Sequence, residues 1–467
     1  MKNNKEMLAI IIGGFLLRLI SSYVGYGFIA FDEYFIGMDP AGFKLLVDNS
    51  YKFADVARTP LLFYFDYAVF FIANKLFGIS SPLELIKFAG AFLGALSMLG
   101  VWMCYKLVLN ISSDKKNALL CAFILSFYFV MPFICTRLMI ESVSAIVLMV
   151  AVYFWSKNNW FWFALLLGIS SMFRFQNGVI YIGVLVYVMF VVKNKAIKFI
   201  AGGLVALLLQ IFLDYSVFGG FLTSLINYTK LQLEVITQHS RQPWFNFILL
   251  FIGLSLPLAS LATLPAVYKA AMKYKVLGIM FVVFVVAHSF SPHKEDRFMI
   301  PVLPLFLLLM GLGLKEVKKY YKFSMRWFWT VNFVLLVPVI ISPTMSNLID
   351  AMDYSRKNGV EMFVSDSPIT PRMFAGYKQT KVIKKDEWKD YFCTIDVKGL
   401  MNKKDIYVHS IFPQDQTNLA GFAKECGVEL EYLGNFKGGF IDQILARLNA
   451  KFNYRRANGH LYKLSLS

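Results

Sequence analysis

The feature that most limits the fold of this chain is a series of long, almost uncharged apolar segments. Hydrophobic residues make up 58% of its 467 residues and charged residues only 16%. A typical globular domain is about 45–50% apolar and about 25% charged. Uninterrupted apolar runs of about 18 residues match the thickness of a bilayer core, so the pattern predicts a polytopic α-helical membrane protein.

We expect about eleven transmembrane helices. The predicted spans are Met7–Val24, Leu83–Tyr105, Asn117–Met131, Met139–Trp155, Trp160–Phe173, Gly178–Val192, Phe199–Phe218, Phe245–Tyr268, Val276–Phe290, Phe298–Leu314 and Trp327–Ile341. No cleavage site follows the first run, which predicts a retained helix. A cleavable secretory signal is therefore not expected.

Basic residues occur in every second predicted loop, which indicates the topology. They precede the first span and follow the second, fourth, sixth, eighth and tenth spans, as in Lys115, Lys157, Lys193, Lys273 and Lys315. Because loops rich in lysine stay in the cytoplasm, these loops and the N-terminus are expected there. The net charge of +18 is explained in this way without a nucleic-acid partner.

One apolar segment does not fit this alternation. The run Arg58–Gly78 is long enough to span, but a span here would place all later lysine loops outside. It also contains Asp66 and Asn74. The sequence therefore predicts an amphipathic or re-entrant segment within a long first external loop.

Residues 343–467 differ in composition and are expected to form a second domain, separate from a transmembrane domain of residues 1–342. Short strand-like runs such as "EMFVSDS" and "DIYVHSIF" alternate with the helix-like "NLAGFAKECG", which predicts a small C-terminal α/β domain. An odd number of spans places it outside the cytoplasm. Cys393 and Cys426 could pair there, and no cysteine spacing indicates a metal site.

Charged residues of both signs are predicted to gather on the external face. Asp32, Glu33 and Arg58 lie in the first external loop, and Arg174 lies in a turn between two short spans. Arg137 and Glu141 are four residues apart, a spacing that also suits a local ion pair. The segment "SPHKEDRFMIP" contains His293, Lys294, Glu295, Asp296 and Arg297 between two apolar runs. A charge at the bilayer centre costs about 2.5–3.5 kcal/mol, so such a cluster needs an explanation beyond topology.

This combination suits the transfer of a sugar from a lipid phosphate to a hydroxyl group. The departing phosphate needs positive charge in a site that excludes water, and the accepting hydroxyl needs a carboxylate to take its proton. Neither role requires a metal or a cofactor other than the lipid-phosphate sugar itself.

The quoted motifs resemble those of the Alg9-like and PIG-B-like mannosyltransferases (glycosyltransferase family 22, GT-C superfamily). "FIAFDEYF", "ARTPLLFYF", "CTRLMIES", "FRFQNG" and "SPHKEDRFMIP" occur in the family's order over about the first 340 residues. The family's first loop has a His-Pro-Asp-Glu motif, where this chain has Ala30 and Phe31 before Asp32 and Glu33. Its late loop has a His-Lys-Glu-Glu/Asp-Arg-Phe motif, which this chain matches closely.

The resemblance implies roles for individual residues. Asp32 would be the catalytic base, with Glu33 as support or alternative. His293, Lys294 and Arg297 would hold the donor phosphate, while Glu295 and Asp296 orient these cations. Arg58, Arg137, Glu141 and Arg174 are candidate supporting residues. The family uses dolichyl- or polyprenyl-phosphate sugars, usually mannose, and inverts the anomeric centre.

Two other functions stay open from the sequence. The same fold could transfer another sugar or use another acceptor, as in arabinosyl transfer, protein O-mannosylation or lipid A decoration. A transporter or flippase is a different class, but inverted repeats and a midplane site, which many transporters show, are not evident. Abundant Lys, Ile, Phe and Asn favour a bacterial inner membrane with the site facing the periplasm. In a eukaryotic host, Asn227–Thr229 would be a glycosylation site facing the lumen of the endoplasmic reticulum.

Overall fold

The computed structural model describes residues 5–238, 242–317, 321–367, 372–374, 379–383, 387–394, 405–411 and 413–466. It divides into two compact units. The first contains Met1–Leu19, Ala54–Leu62 and Phe92–Val337, and the second contains Ile20–Phe53, Phe63–Ala91 and Pro338–Ser467. The second unit thus combines the C-terminal segment with two N-terminal stretches.

Helices dominate the chain up to residue 341. The α-helices in this part are Lys5–Tyr23, Phe31–Glu33, Asp39–Leu46, Leu61–Phe77, Pro82–Ser112, Lys115–Phe127, Met131–Ile134, Ile140–Ser156, Trp160–Phe173, Gly178–Phe190, Ala196–Phe218, Thr223–Gln238, Asn246–Leu254, Ser260–Lys273, Lys275–Ser289, Leu303–Gly313 and Tyr321–Ile341. Short 3-10 helices lie at Phe175–Asn177, Lys193–Lys195, Pro257–Ala259, Asp296–Val302 and Leu314–Glu316.

Each predicted span falls on helical residues, but the eighth is broken into two helices and the count of eleven spans is not confirmed. Within the described residues, five helices are long and apolar enough to cross a membrane, or six if one bent pair forms a single span. That pair, Asn246–Leu254 and Pro257–Lys273, is bent by 92°. The break coincides with Leu256, whose φ of 57° is left-handed, and with Pro257, which cannot continue a helical ladder.

Small residues allow two helices of the first unit to pack closely. Gly202 of Ala196–Phe218 lies against the backbone of Phe161, where an added Cβ would meet the carbonyl oxygen. Close approach through small residues is the usual way in which membrane helices gain packing energy. This contact fixes Trp160–Phe173, the helix that immediately precedes Arg174.

The segment 31–46, in the predicted first external loop, forms one continuous helical stretch with an irregular centre. It begins with Phe31–Glu33, passes through the π-helical turn Tyr34–Met38 and ends with Asp39–Leu46. The apolar run that did not fit the alternation contains the 17-residue helix Leu61–Phe77. Its predicted position at the outer interface stays a prediction.

The C-terminal segment forms a five-stranded sheet with helices, as the alternation of short runs predicted. The strands are β1 (Met362–Ser365), β2 (Gln379–Val382), β3 (Ile406–Ser410), β4 (Val428–Lys437) and β5 (Asn458–Leu466), in the order β2-β1-β3-β5-β4. β1 pairs in parallel with β2 and β3, whereas β5 pairs antiparallel with β3 and β4. The helices of this segment are Ser346–Lys357, Trp388–Cys393, Pro413–Glu425, Phe440–Leu448 and Ala450–Asn453, with 3-10 turns at Arg372–Phe374 and Tyr454–Arg456.

An apolar core and a disulfide stabilise this sheet. Val364, Ile406 and Val408 of the central strands pack with Trp388 and Phe392 of a neighbouring helix. Cys393 and Cys426 are joined by a disulfide, with 4.9 Å between their Cα atoms. The pairing that the sequence left open is therefore present in the structure.

Candidate active site

The second unit holds Asp32 and Glu33, the two carboxylates of the predicted first external loop. Asp32 is half-buried, whereas Glu33 is only 2% exposed. One oxygen of Glu33 accepts a hydrogen bond from the Ile29 backbone N–H at 2.8 Å. Because Glu33 is committed to this local contact and Asp32 is more accessible, Asp32 is the better placed of the two to meet a substrate.

Asp66 is a third carboxyl group in the same unit, and the sequence motifs did not mark it as part of the site. It is fully buried in Leu61–Phe77, and neither of its oxygens has a hydrogen-bond partner among the described residues. It lies close enough to Glu33 for electrostatic repulsion. An ionised, buried carboxylate without a partner is costly, so burial and the nearby Glu33 favour the neutral, protonated form of Asp66. The sequence signal was an aspartate within an otherwise apolar helix.

Arg174 lies at the centre of a cluster of polar side chains in the first unit. Its side chain is almost fully buried, and Nη1 donates to the Phe298 carbonyl at 2.8 Å. Nε lies 3.7 Å from a carboxylate oxygen of Glu141, and the guanidinium also contacts the rings of Phe284 and Phe298. Nε and Nη2 have no hydrogen-bond partner among the residues that the structure describes. These two nitrogens are therefore available to donate hydrogen bonds to an anionic ligand.

Tyr228 and Arg58 lie beside this arginine. The Arg58 guanidinium is 5.6 Å from the centre of the Tyr228 ring, which also packs against Phe175. The Tyr228 hydroxyl is buried, with the Gln176 side chain beside it. Tyr228 interacts electrostatically with Arg174, Arg58 and Glu141. No sequence pattern selected Tyr228, since "NYT" indicated only a possible glycosylation site.

The charged segment His293–Arg297 adjoins the same group. Glu295 accepts from Arg297 Nε at 2.7 Å and lies 3.0 Å from Nε2 of His293. Burial opposes ionisation of Glu295, yet Arg297 and His293 hold its pKa below the ordinary value. Arg174 interacts electrostatically with both Glu295 and Arg297. We call Arg58, Glu141, Arg174, Tyr228, Glu295 and Arg297 the cationic cluster.

Lys294 takes a different position from its neighbours. Its ammonium donates to the backbone carbonyls of Gln242, at 3.1 Å, and Ser291. The side chain is buried, and burial lowers its pKa. These contacts fix the loop and favour a structural role, whereas the sequence predicted a phosphate contact. Asp296, predicted to orient the cations, is exposed at the start of a 3-10 helix.

Arg137 also lies differently from the helical spacing that the sequence suggested. The helix begins at Ile140, so Arg137 precedes it and does not share its face with Glu141. The Arg137 guanidinium stacks 4.3 Å from the Phe133 ring centre, and Glu141 forms an ion pair with Arg174. Among the described residues, no three His, Cys, Asp or Glu side chains are grouped as metal ligands.

Comparison with known proteins identifies related sequences. The family model described as the Alg9-like mannosyltransferase family matches residues 10–365. "GPI mannosyltransferase 3" of Debaryomyces hansenii is 25% identical over 385 residues, which cover 74% of this chain and 66% of that protein. "GPI alpha-1,2-mannosyltransferase 3" of Homo sapiens is 26% identical over 145 residues, covering 29% of this chain and 25% of the human protein. The chain thus spans less than two thirds of the length of either relative.

Solved structures share the fold at much lower sequence identity. The crystal structure of ArnT from Cupriavidus metallidurans bound to undecaprenyl phosphate aligns with a TM-score of 0.66 at 11% identity, covering 99% of this chain and 98% of that one. The Archaeoglobus fulgidus oligosaccharyltransferase aligns with a TM-score of 0.55 at 10% identity, covering 89% of this chain and 70% of that one. The fold predicted from the sequence is therefore confirmed as GT-C-like.

Proposed function

Because the chain belongs to the Alg9-like mannosyltransferase family, we propose that it is a membrane glycosyltransferase that transfers mannose from a polyprenyl-phosphate donor. The acceptor is a hydroxyl group of a glycan or glycolipid on the extracytoplasmic face. Transfer inverts the anomeric centre, because the hydroxyl attacks opposite the departing phosphate in a single displacement.

The observation that supports this most directly is the buried cationic cluster. Arg174 retains two donor nitrogens, Nε and Nη2, without a hydrogen-bond partner among the described residues, and the Tyr228 hydroxyl lies beside it. A phosphate oxygen would satisfy these donors through charge-assisted hydrogen bonds. In a buried site such donors stabilise negative charge as the glycosyl bond breaks. In this proposal Arg297 and Arg58 add positive charge, and Glu295 orients Arg297.

Asp32 is the base in this proposal. The acceptor hydroxyl becomes acidic only as it attacks, so a carboxylate within hydrogen-bond reach suffices to take its proton. Asp32 is accessible enough to contact an acceptor, whereas Glu33 is held by Ile29. Glu33 therefore supports the segment rather than the proton transfer.

The polyprenyl carrier is favoured by the undecaprenyl phosphate bound to the ArnT structure, which shares the fold. In a second candidate function, the same chemistry moves a different sugar to a different acceptor. The abundance of Lys, Ile, Phe and Asn supports a bacterial inner membrane, with the site facing the periplasm.

A reconstituted transfer assay tests this function. The purified protein in lipid nanodiscs would be given synthetic polyprenyl-phosphate mannose, or the same carrier with glucose or arabinose, and a panel of glycan and glycolipid acceptors. We expect one new mannosylated product by mass spectrometry, with the opposite anomeric configuration to the donor. Product from arabinose alone would establish the second candidate. Absence of product with every sugar would contradict the transferase proposal.

A further inference from the structure

The segment that carries Asp32 is held at its beginning by residues near the C-terminal sheet. The Thr344 backbone N–H donates to the carbonyl of Tyr26 at 2.9 Å, and Gly27 forms a parallel bridge with Thr344. The Tyr26 hydroxyl donates to Asp350 at 2.6 Å. Gly27 has a φ of 115°, and a Cβ there would meet the Thr344 carbonyl, so the approach requires glycine.

Arg456 fixes the next residues of this segment. Its guanidinium donates to the Ile29 carbonyl and to Asp442, the latter at 3.2 Å. Asp442 is fully buried and accepts from the Met345 backbone N–H at 2.7 Å. Since the Ile29 N–H is bound by Glu33, both polar groups of residue 29 are occupied.

Asp39 anchors the other end of the segment. It is 1% exposed and accepts from Arg372 Nε and from the Met373 backbone N–H, both at 2.8 Å. The Tyr34 hydroxyl lies 3.2 Å from the same carboxylate. Arg372 also contacts the rings of Phe43 and Tyr51, so the anchor combines an ion pair with aromatic contacts.

The π-helical turn Tyr34–Met38 lies between Asp32 and this anchor. A π turn accommodates one residue more than an α turn, which shifts the following side chains by about 100° around the helix axis. The direction of the Asp32 side chain is therefore set relative to Asp39 by this turn. An ordinary surface loop needs neither fixed contacts at both ends nor a π-helical turn.

We propose that Asp39 and Arg372 are positioning residues, which fix the orientation of Asp32 for proton transfer. The C-terminal sheet and its loops thus serve the reaction by holding the segment of the base. This inference rests on the proposed function, in which Asp32 takes the proton of the acceptor. Misplacement of a reacting group by about 1 Å can reduce a rate about 100-fold.

The test compares steady-state kinetics of Asp39→Asn and Arg372→Met with those of the unchanged protein. Both variants remove the ion pair with little change in size. We expect kcat to fall about 10- to 100-fold while KM for the donor changes less than about two-fold, because only orientation of the base is lost. Deleting Gly37 converts the π turn toward an α turn and should reduce kcat at least as much as the two substitutions do.

Asp353→Asn is the matched control, since Asp353 is also buried in this unit but pairs within its own helix, with Arg356 and Lys357. Thermal unfolding of all variants separates folding from catalysis. An unchanged kcat in folded Asp39→Asn and Arg372→Met would overturn the positioning role, as would an equal loss in Asp353→Asn. Full activity of Asp32→Asn would instead contradict the role of the base itself, so the two failures are distinguishable.

Discussion

A Glu141 carboxylate oxygen lies 3.7 Å from Nε of Arg174, and both side chains are almost completely buried. The carboxylate balances the charge of the arginine without using all of its donor atoms. We expect Arg174→Gln to raise KM for the donor about 10- to 100-fold, because a hydrogen bond to a charged group contributes about 1.5–3 kcal/mol.

Titration with radiolabelled polyprenyl-phosphate mannose measures this effect. Arg326→Gln is the control, since Arg326 is exposed in the helix Tyr321–Ile341. A KM for the donor that stays unchanged in Arg174→Gln would exclude Arg174 as a phosphate ligand.

Tyr228 offers a finer test of the same cluster. Tyr228→Phe removes only the buried hydroxyl and keeps the ring between Phe175 and Arg58. Loss of one charge-assisted hydrogen bond to phosphate, worth about 1.5–3 kcal/mol, should weaken donor binding about 10- to 100-fold. Tyr215→Phe, on an exposed face of Ala196–Phe218, should leave donor binding unchanged. Equal donor affinities in the two variants would show that the Tyr228 hydroxyl does not contact the donor.

The ion pairs of Glu295 predict a dependence of stability on pH. His293 and Arg297 hold the pKa of Glu295 below its unfolded value of about 4.3, so its contribution is fully present above that pH. The contribution is lost as the pH falls through the folded pKa. We expect Glu295→Gln to lower the melting temperature at pH 7, and we expect this difference to shrink as the pH falls below about 4.3. A difference that stays constant while the carboxylate becomes protonated would show that its charge is not the cause.

The disulfide between Cys393 and Cys426 predicts a response to reductant. The bond closes a stretch of 33 residues, and such cross-links typically contribute about 2–4 kcal/mol. We expect dithiothreitol to lower the melting temperature of the unchanged protein but not that of the Cys393→Ser, Cys426→Ser double variant. Peptide mapping without reductant should recover the linked pair. Free thiols at Cys393 and Cys426 in the purified protein would contradict the disulfide.

Helices and strands were predicted well from the sequence, because both depend on the local pattern of apolar and polar residues. Trp160–Phe173 forms a helix over the bounds that its apolar run indicated, and the strand-like runs of the tail became β1, β3, β4 and β5. Strand β2 was not foreseen, since "QTKV" has no strong alternation of apolar residues.

Long-range contacts account for what the sequence could not indicate. Asp39 and Arg372 are 333 residues apart, so no spacing rule connects them. Lys294 resembled a phosphate ligand by motif, but its partners are backbone carbonyls, and one of them, Gln242, is 52 residues away. Carbonyl groups are present at every residue and leave no signal in side-chain composition.

The central claim is that Asp32 accepts the proton of the attacking hydroxyl, and single-turnover transfer by Asp32→Asn tests it most directly. Asp48→Asn is the control, since Asp48 is a partly exposed residue whose side chain accepts hydrogen bonds from nearby Ser50. We expect Asp32→Asn to bind the donor normally and to transfer mannose at least about 100-fold more slowly, as is typical when a general base is lost. Transfer at the rate of Asp48→Asn would contradict the account.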